Sequence, residues 1–296
     1  MAAEDKSKGS DVVVRYYVVC IIDLLGQRQK LAGWSRLPAD GKPTPDFMGA
    51  MKDSVGTVLW FREKFAEFFN EFEKTQLDTQ QLNSLSPQQR KLFDRFRYSN
   101  LQIQQFADTF VFFAPIRNEH GDRTIEPVFR IVSACCMAML LSLAAKMPLR
   151  GAISIGSGAQ LQPGSLYGPA LVTAHHLESE IAQFPRVVVD DELSRYLSGS
   201  GYSDDPMIET LSLKLAETCR SFLCADSDNR FIVDFLGEAS KGISGGPIMD
   251  MVKPLYDFVR NEHDRFLQLG DQKLVERYAA LLKYVTSRLP IWGVSP

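Results

Sequence analysis

Two carboxylates mark where this 296-residue chain could do chemistry. Asp23 closes the apolar run VVVRYYVVCII, and Asp108 interrupts the segment LQIQQFADTFVFFAP. An acid set flush against CII or FVFF is costly to bury unless it is paired or binds a metal. A central strand and a neighbouring hairpin can bring the two side chains together across 85 positions (108 − 23). Two carboxylates beside a backbone carbonyl form an oxygen-rich site suited to Mg²⁺ or Mn²⁺ carrying a triphosphate. The plainer reading has Asp23 capping a turn and Asp108 fixing the hairpin, and residue types alone leave both open. Other signals are fainter. No Ser-His-Asp order or activated cysteine context argues for hydrolysis. His175 and His176 are neighbours on a helix and do not face one another, Cys135 and Cys136 read as helix core, and GSGAQLQPG resembles a phosphate cradle only loosely.

The elements that must position these groups follow from periodicity. A near-continuous β-branched and aromatic run over 12–22 predicts a buried central strand ending at Asp23-Leu24-Leu25-Gly26. Residues 33–46 read as a loop, and helical spacing of Val55, Val58, Leu59, Phe61, Phe65, Phe68, Phe69 and Phe72 predicts a helix over 53–74. A polar connection at 75–90 and a short helical stretch lead to a hairpin over 101–115. Beyond a polar turn at 116–126 come a buried helix at 127–147, a strand at 150–155 and a glycine-rich loop at 156–168. A helix over 170–183, a strand at 187–189, a charged hairpin with a strand at 231–237, and helices at 250–269 and 272–289 complete the chain. The strand–helix–strand–strand–helix–strand order predicts a split βαβ, ferredoxin-like core in an α+β body. We expect one body over 1–240 and a helical extension over 241–296 packed on it.

Composition narrows the function classes. At 45% apolar and 23% charged residues the chain can bury a core, which excludes wholesale disorder. Lys and Arg number 33 against 36 Asp and Glu, without the basic excess of a generic nucleic-acid binder. The five cysteines are an odd number with no CxxC spacing, which argues against a disulfide framework or structural zinc. MAAEDKSKGSD lacks the apolar stretch of a signal peptide. The most apolar segment, 131–145, is shorter than the roughly 20 residues a membrane span needs. A cytoplasmic protein that binds neither nucleic acid nor membrane is expected.

Several motifs are similar to those of a known family. IIDLLG resembles the first metal-binding strand of class III nucleotide cyclases, and FADTFVFF resembles the second. LRGAISIGSG and SLYGPALVTAHHLESE are similar to the later strand, loop and helix, so the likeness covers roughly 12–240 in the right order. LYGPAL, A-x-x-LES and A-x-FPRVVVD are closer still to the uridylate and cytidylate cyclases of bacterial Pycsar anti-phage defence. VDFLG and the helices around Lys283-Tyr284 suit the same group.

The resemblance implies two divalent ions, Mn²⁺ or Mg²⁺, held by Asp23, Asp108 and the backbone carbonyl of Leu24, with backbone amides of Leu25, Gly26 and Gln27 meeting the triphosphate. It further implies a head-to-tail homodimer with composite sites, cyclising UTP or CTP to a 3′,5′-cyclic nucleotide (cUMP favoured over cCMP) that reaches a cyclic-nucleotide-responsive effector. Two departures matter. At the family's base-reading positions, where adenylate cyclases carry Lys and guanylate cyclases Glu, this chain has Gln104, with Ser165 at the second; both are uncharged groups able to donate and accept. The helix positions that usually supply Asn and Arg hold Val172 and His176. Another cation must then face the transition state, and the candidates are Arg186 first, then Arg150 and Arg97. A purine cyclase of the same fold and a catalytically silent nucleotide-binding domain are the competing readings.

Overall fold

The computed structural model describes residues 13–27, 42–74, 86–96, 100–117, 123–244 and 246–296. Arg97, most of the expected loop at 33–46 and parts of the connections at 75–90 and 116–126 lie outside the described residues.

The fold is α+β. In chain order the strands are β1 (Val14–Leu24), β2 (Gln102–Phe106), β3 (Thr109–Pro115), β4 (Leu149–Gln162), β5 (Ser165–Tyr167), β6 (Val187–Val189), β7 (Leu223–Ala225) and β8 (Phe231–Val233). The helices used below are α1 (Pro45–Lys74), α2 (Pro87–Phe96), α3 (Glu126–Ala144), α4 (Pro169–His176), α5 (Asp191–Ser198), α6 (Pro206–Ser221), α7 (Glu238–Ile243), α8 (Val252–Leu269) and α9 (Gln272–Arg288). Among the described residues the strands form one sheet in the order β2-β3-β1-β4-β6-β8-β7, with β5 paired to β4. β3 runs antiparallel to both β1 and β2, so β1 and β2 point the same way with β3 between them. That is the split βαβ connection, and β4 flanks β1 antiparallel on its other side.

Alternation along β1 sorts the two faces of the sheet. Val18, Cys20, Ile22 and Leu24 point into the main core, where α1 supplies Phe61, Phe65 and Phe69 and β3 supplies Phe110 and Phe112. Phe65 stacks on Phe112 with ring centroids 3.7 Å apart. Tyr17, Val19 and Ile21 point the other way and are covered by α4 through Ala170 and Ala174. α3 is the one described helix long and apolar enough to cross a membrane, and it lies buried in the core instead. α1, α6 and α8 pack against it.

Four differences from the expected elements bear on the site. β1 extends to Leu24, so Asp23 lies within the strand and not after it. β4 continues to Gln162, so much of the expected glycine loop is strand. Gly158 answers to close approach: a Cβ there would sit 3.0 Å from the Leu166 side chain. The helix expected over 170–183 changes winding after His176, where Leu177–Ile181 forms a π turn closed by Ala182 N–H to Leu177 O at 2.8 Å. Finally, α5 and α6 occupy ground left blank between the strand at 187–189 and the hairpin. The signals for both were present. Asp190 and Asp205 each cap the following helix, with Asp205 accepting from the N–H groups of Met207 and Ile208.

Candidate active site

Asp23 sits opposite Thr109 on β3 and opposite Arg150 on β4, so three side chains stand abreast on one sheet face. Thr109 Oγ1 donates to Asp23 Oδ1 at 2.9 Å, and Arg150 Nη2 lies 3.4 Å from Asp23 Oδ2. Arg150 also reaches the π turn, with Nε 2.6 Å from Glu178 Oε1 in an ion pair that is close but poorly aligned as a hydrogen bond. The Glu178 side chain is only 4% exposed, and His175 Nδ1 lies 3.9 Å from its other oxygen.

Asp108 occupies the second position of the two-residue turn joining β2 to β3, after Ala107 at φ 53°. Its carbonyl accepts from Leu24 N–H at 3.2 Å, which fixes the hairpin tip against the end of β1. The two aspartates that the sequence set far apart therefore meet at one end of the sheet. Their mutual charge is felt. Burial raises the Asp23 pKa, the Thr109 hydrogen bond and Arg150 pull it down, Asp108 pushes it up again, and the net shift is upward. Burial likewise raises Glu178, with Arg150 opposing and Asp23 adding to the rise. Asp23 and Glu178 thus share a single guanidinium with Asp108 close enough to add its charge, an excess of negative charge that a cation would relieve. The donors are oxygens throughout, the chemistry that Mg²⁺ and Mn²⁺ take. No group of three His, Cys, Asp or Glu side chains among the described residues is arranged to hold a metal, so such an ion would also draw on backbone or ligand oxygens.

The remaining candidates divide. Gln104 Oε1 accepts from Leu166 N–H at 3.2 Å, which places it beside Ser165. Gln104 shares a sheet face with Asp23 through the register Gln104–Val111–Ile21. Leu25 N–H is bonded to Pro148 O at 2.9 Å, so the amide expected to meet a phosphate is engaged within the chain. Gly26 turns the chain at φ 85°, and the buried Gln27 holds its Oε1 without a hydrogen-bond partner among the described residues. Val172 and His176 are both exposed on α4.

Arg186 is placed elsewhere. All three of its nitrogens are engaged, by Asp226 Oδ2 (2.5 Å), Asp228 Oδ2 (2.8 Å) and the carbonyls of Ile181 and Ala182. Its guanidinium also lies over the Phe184 ring. The order of the arginine candidates is therefore corrected: Arg150 stands beside Asp23, whereas Arg186 locks the β7–β8 hairpin to the end of the π turn. Thr109 and Glu178 were not singled out from sequence. Glu178 had no distinguishing signal, since it stands with Ser179 and Glu180 after His175-His176, and nothing local marks the change of winding at which it is buried. Comparison with protein-family models, with curated proteins and with solved structures gives no match for this chain, so the reading of the site rests on its own geometry.

Proposed function

We propose that the chain is a pyrimidine nucleotide cyclase built on a ferredoxin-like, class III cyclase core, with UTP favoured over CTP. The observation that carries this reading is the meeting of Asp23 and Asp108 at the end of a split βαβ sheet, beside Arg150. Asp23, Asp108 and the Leu24 carbonyl would hold the divalent ions, Mn²⁺ or Mg²⁺. Bound there, such ions supply Lewis-acid activation of the ribose 3′-hydroxyl and grip on the triphosphate.

The chain's own groups do the rest. Thr109 orients the Asp23 carboxylate through Oδ1. Arg150, anchored by Glu178, is the cation available for charge that builds on the α-phosphate as the 3′-oxygen attacks and pyrophosphate leaves. Gln104 has its oxygen committed to Leu166 N–H, while its amide nitrogen makes no hydrogen bond among the described residues. An N–H donor complements a uracil carbonyl and opposes a cytosine amino group, which supports cUMP over cCMP. The exposed side chains Phe106, Tyr167 and Val172 suit a second copy completing a composite site in a homodimer. On this reading the product serves as an anti-phage second messenger for a cyclic-nucleotide-responsive effector in the cytoplasm.

The test is direct. Purified protein is incubated with each of the four ribonucleoside triphosphates and Mn²⁺, and the products are separated. UTP should give a cyclic monophosphate and pyrophosphate. Asp23→Ala and Asp108→Ala should give neither, while keeping the wild-type circular dichroism and elution volume. A purine product would move the assignment to an adenylate or guanylate cyclase. No product from any triphosphate would leave a catalytically silent domain.

A further inference from the structure

A second site is suggested at the other end of β1. Tyr16 lies seven positions from Asp23 along the strand, or about 23 Å at strand rise. Beside it a cleft of about 830 Å³ opens between β4, the start of α4 and α5. This volume is in the range of small-molecule sites. Arg117, Arg123 and Arg195 line it together with Ser157 and the half-exposed ring of Tyr16.

Arg123 is what distinguishes the cleft. Arg130 is matched with Glu126, Arg186 with Asp226 and Arg288 with Asp234. Arg123 is in ion-pair contact with no carboxylate among the described residues and is held by aromatic faces instead, its guanidinium carbon 4.8 Å from the Tyr196 ring centre and 5.7 Å from that of Tyr202. A guanidinium fixed in this way loses little freedom when it grips an oxyanion. Two acids, Asp190 and Glu192, also line the cleft, and Glu209 lies close enough for Arg123 to lower its pKa; each has other partners. Asp190 accepts from Ser154 Oγ at 2.7 Å and caps α5, and Glu192 lies 2.7 Å from Arg195. Glu209 accepts from the N–H groups of Gly201, Tyr202 and Ser203.

We propose that this cleft binds a phosphate-bearing ligand of nucleotide size at a site separate from the Asp23 centre. Arg123 and Arg195 grip the phosphate, and the Tyr16 ring stacks on the base. The assignment does not depend on cyclase activity. It is tested by titration calorimetry of the full chain with uridine monophosphate in EDTA, where no metal-held triphosphate can contribute. Binding should be measurable, should persist in Asp23→Ala, and should weaken about tenfold or more in Arg123→Ala and in the exposed-site variant Arg195→Ala. Inorganic phosphate should bind more weakly than the nucleotide. No heat with millimolar nucleotide overturns the proposal, as does affinity that both arginine variants retain. Loss of binding in Asp23→Ala would place the nucleotide at the Asp23 centre, and equal affinity for inorganic phosphate would remove the role of Tyr16.

Discussion

Two arginines show how much a single placement decides. Arg150 is partly exposed and touches the acid at the centre of the site, whereas Arg186 is buried with every nitrogen engaged. On the proposed cyclase reading, Arg150→Ala should lower turnover about a hundredfold or more, because a directed cation at a developing oxyanion is worth that much, and it should also lower stability because buried Glu178 loses its cation. Arg186→Ala should affect stability alone. It leaves Asp226 facing no cation and should cost about 3–5 kcal/mol, read as a lower denaturant midpoint with turnover per folded molecule retained. Equal turnover in wild type and Arg150→Ala would remove Arg150 from the chemistry. A pH effect belongs to this scale as well. Burial pushes the Glu209 carboxyl up, but three backbone N–H groups pull it down further, so its folded pKa lies below 4.5. A carboxyl depressed on folding stabilises the protein above its unfolded pKa and loses that contribution as pH falls through the folded value. Melting temperature should therefore drop as pH is lowered below about 4.5, and Glu209→Gln should flatten part of that drop.

At the scale of elements, β1 and β4 are pressed together beside the site. A Cβ on Gly151 would lie 2.5 Å from the Ile21 carbonyl oxygen, so Gly151→Ala must move backbone. We expect a loss of about 1–3 kcal/mol in chemical unfolding, together with a fall in activity because Arg150 is the adjacent residue. An unchanged midpoint would mean that the strands separate more readily than this packing implies. The strands were the legible part of the sequence. The apolar run of β1, the hairpin around Asp108 and the strand at 187–189 all follow from short runs of β-branched and aromatic residues, and their order led to the split βαβ sheet. Winding and reach were not legible. No local signal tells that the chain stays extended from Gly156 to Gln162, since that depends on pairing with β1 and β5. Nor does residue type reveal that Arg186 meets Asp226 and Asp228, 40 and 42 positions away, before it can reach anything else.

For the molecule as a whole, the last helices are part of the core. Val252, Leu255 and Val259 of α8 and Leu281 and Val285 of α9 belong to the same buried cluster as Ile131 and Leu140 of α3. The attachment is also polar. Asp234, just after β8, accepts from Arg288 Nε at 2.9 Å, Arg288 Nη2 at 3.1 Å and Tyr284 Oη at 2.8 Å, and Trp292 Nε1 donates to Leu236 O at 2.9 Å. A chain ending at residue 240 would expose the α3 face and leave Asp234 without partners. It should be insoluble or lack near-ultraviolet circular dichroism, and a soluble, cooperatively unfolding 1–240 fragment would show that the helices are dispensable. Arg288→Ala, which breaks the latch alone, should lower the melting temperature without abolishing folding.

The π turn at Leu177–Ile181 has a bearing on how this chain should be aligned with others. A π turn holds one residue more than the α-helical path it replaces, so it behaves as a single-residue insertion within a helix. A homologue lacking that residue would need a gap here for Ala182 and Arg186, in the connection to β6, to stay matched. Scored without the gap, Glu178 and Arg186 could not both be matched, and one of two ion pairs would look lost when only the count had changed. Deleting Ser179 enacts the same event in the laboratory: the helix should rewind, and either Arg150 should lose Glu178 or the Asp226–Asp228 loop should lose Arg186.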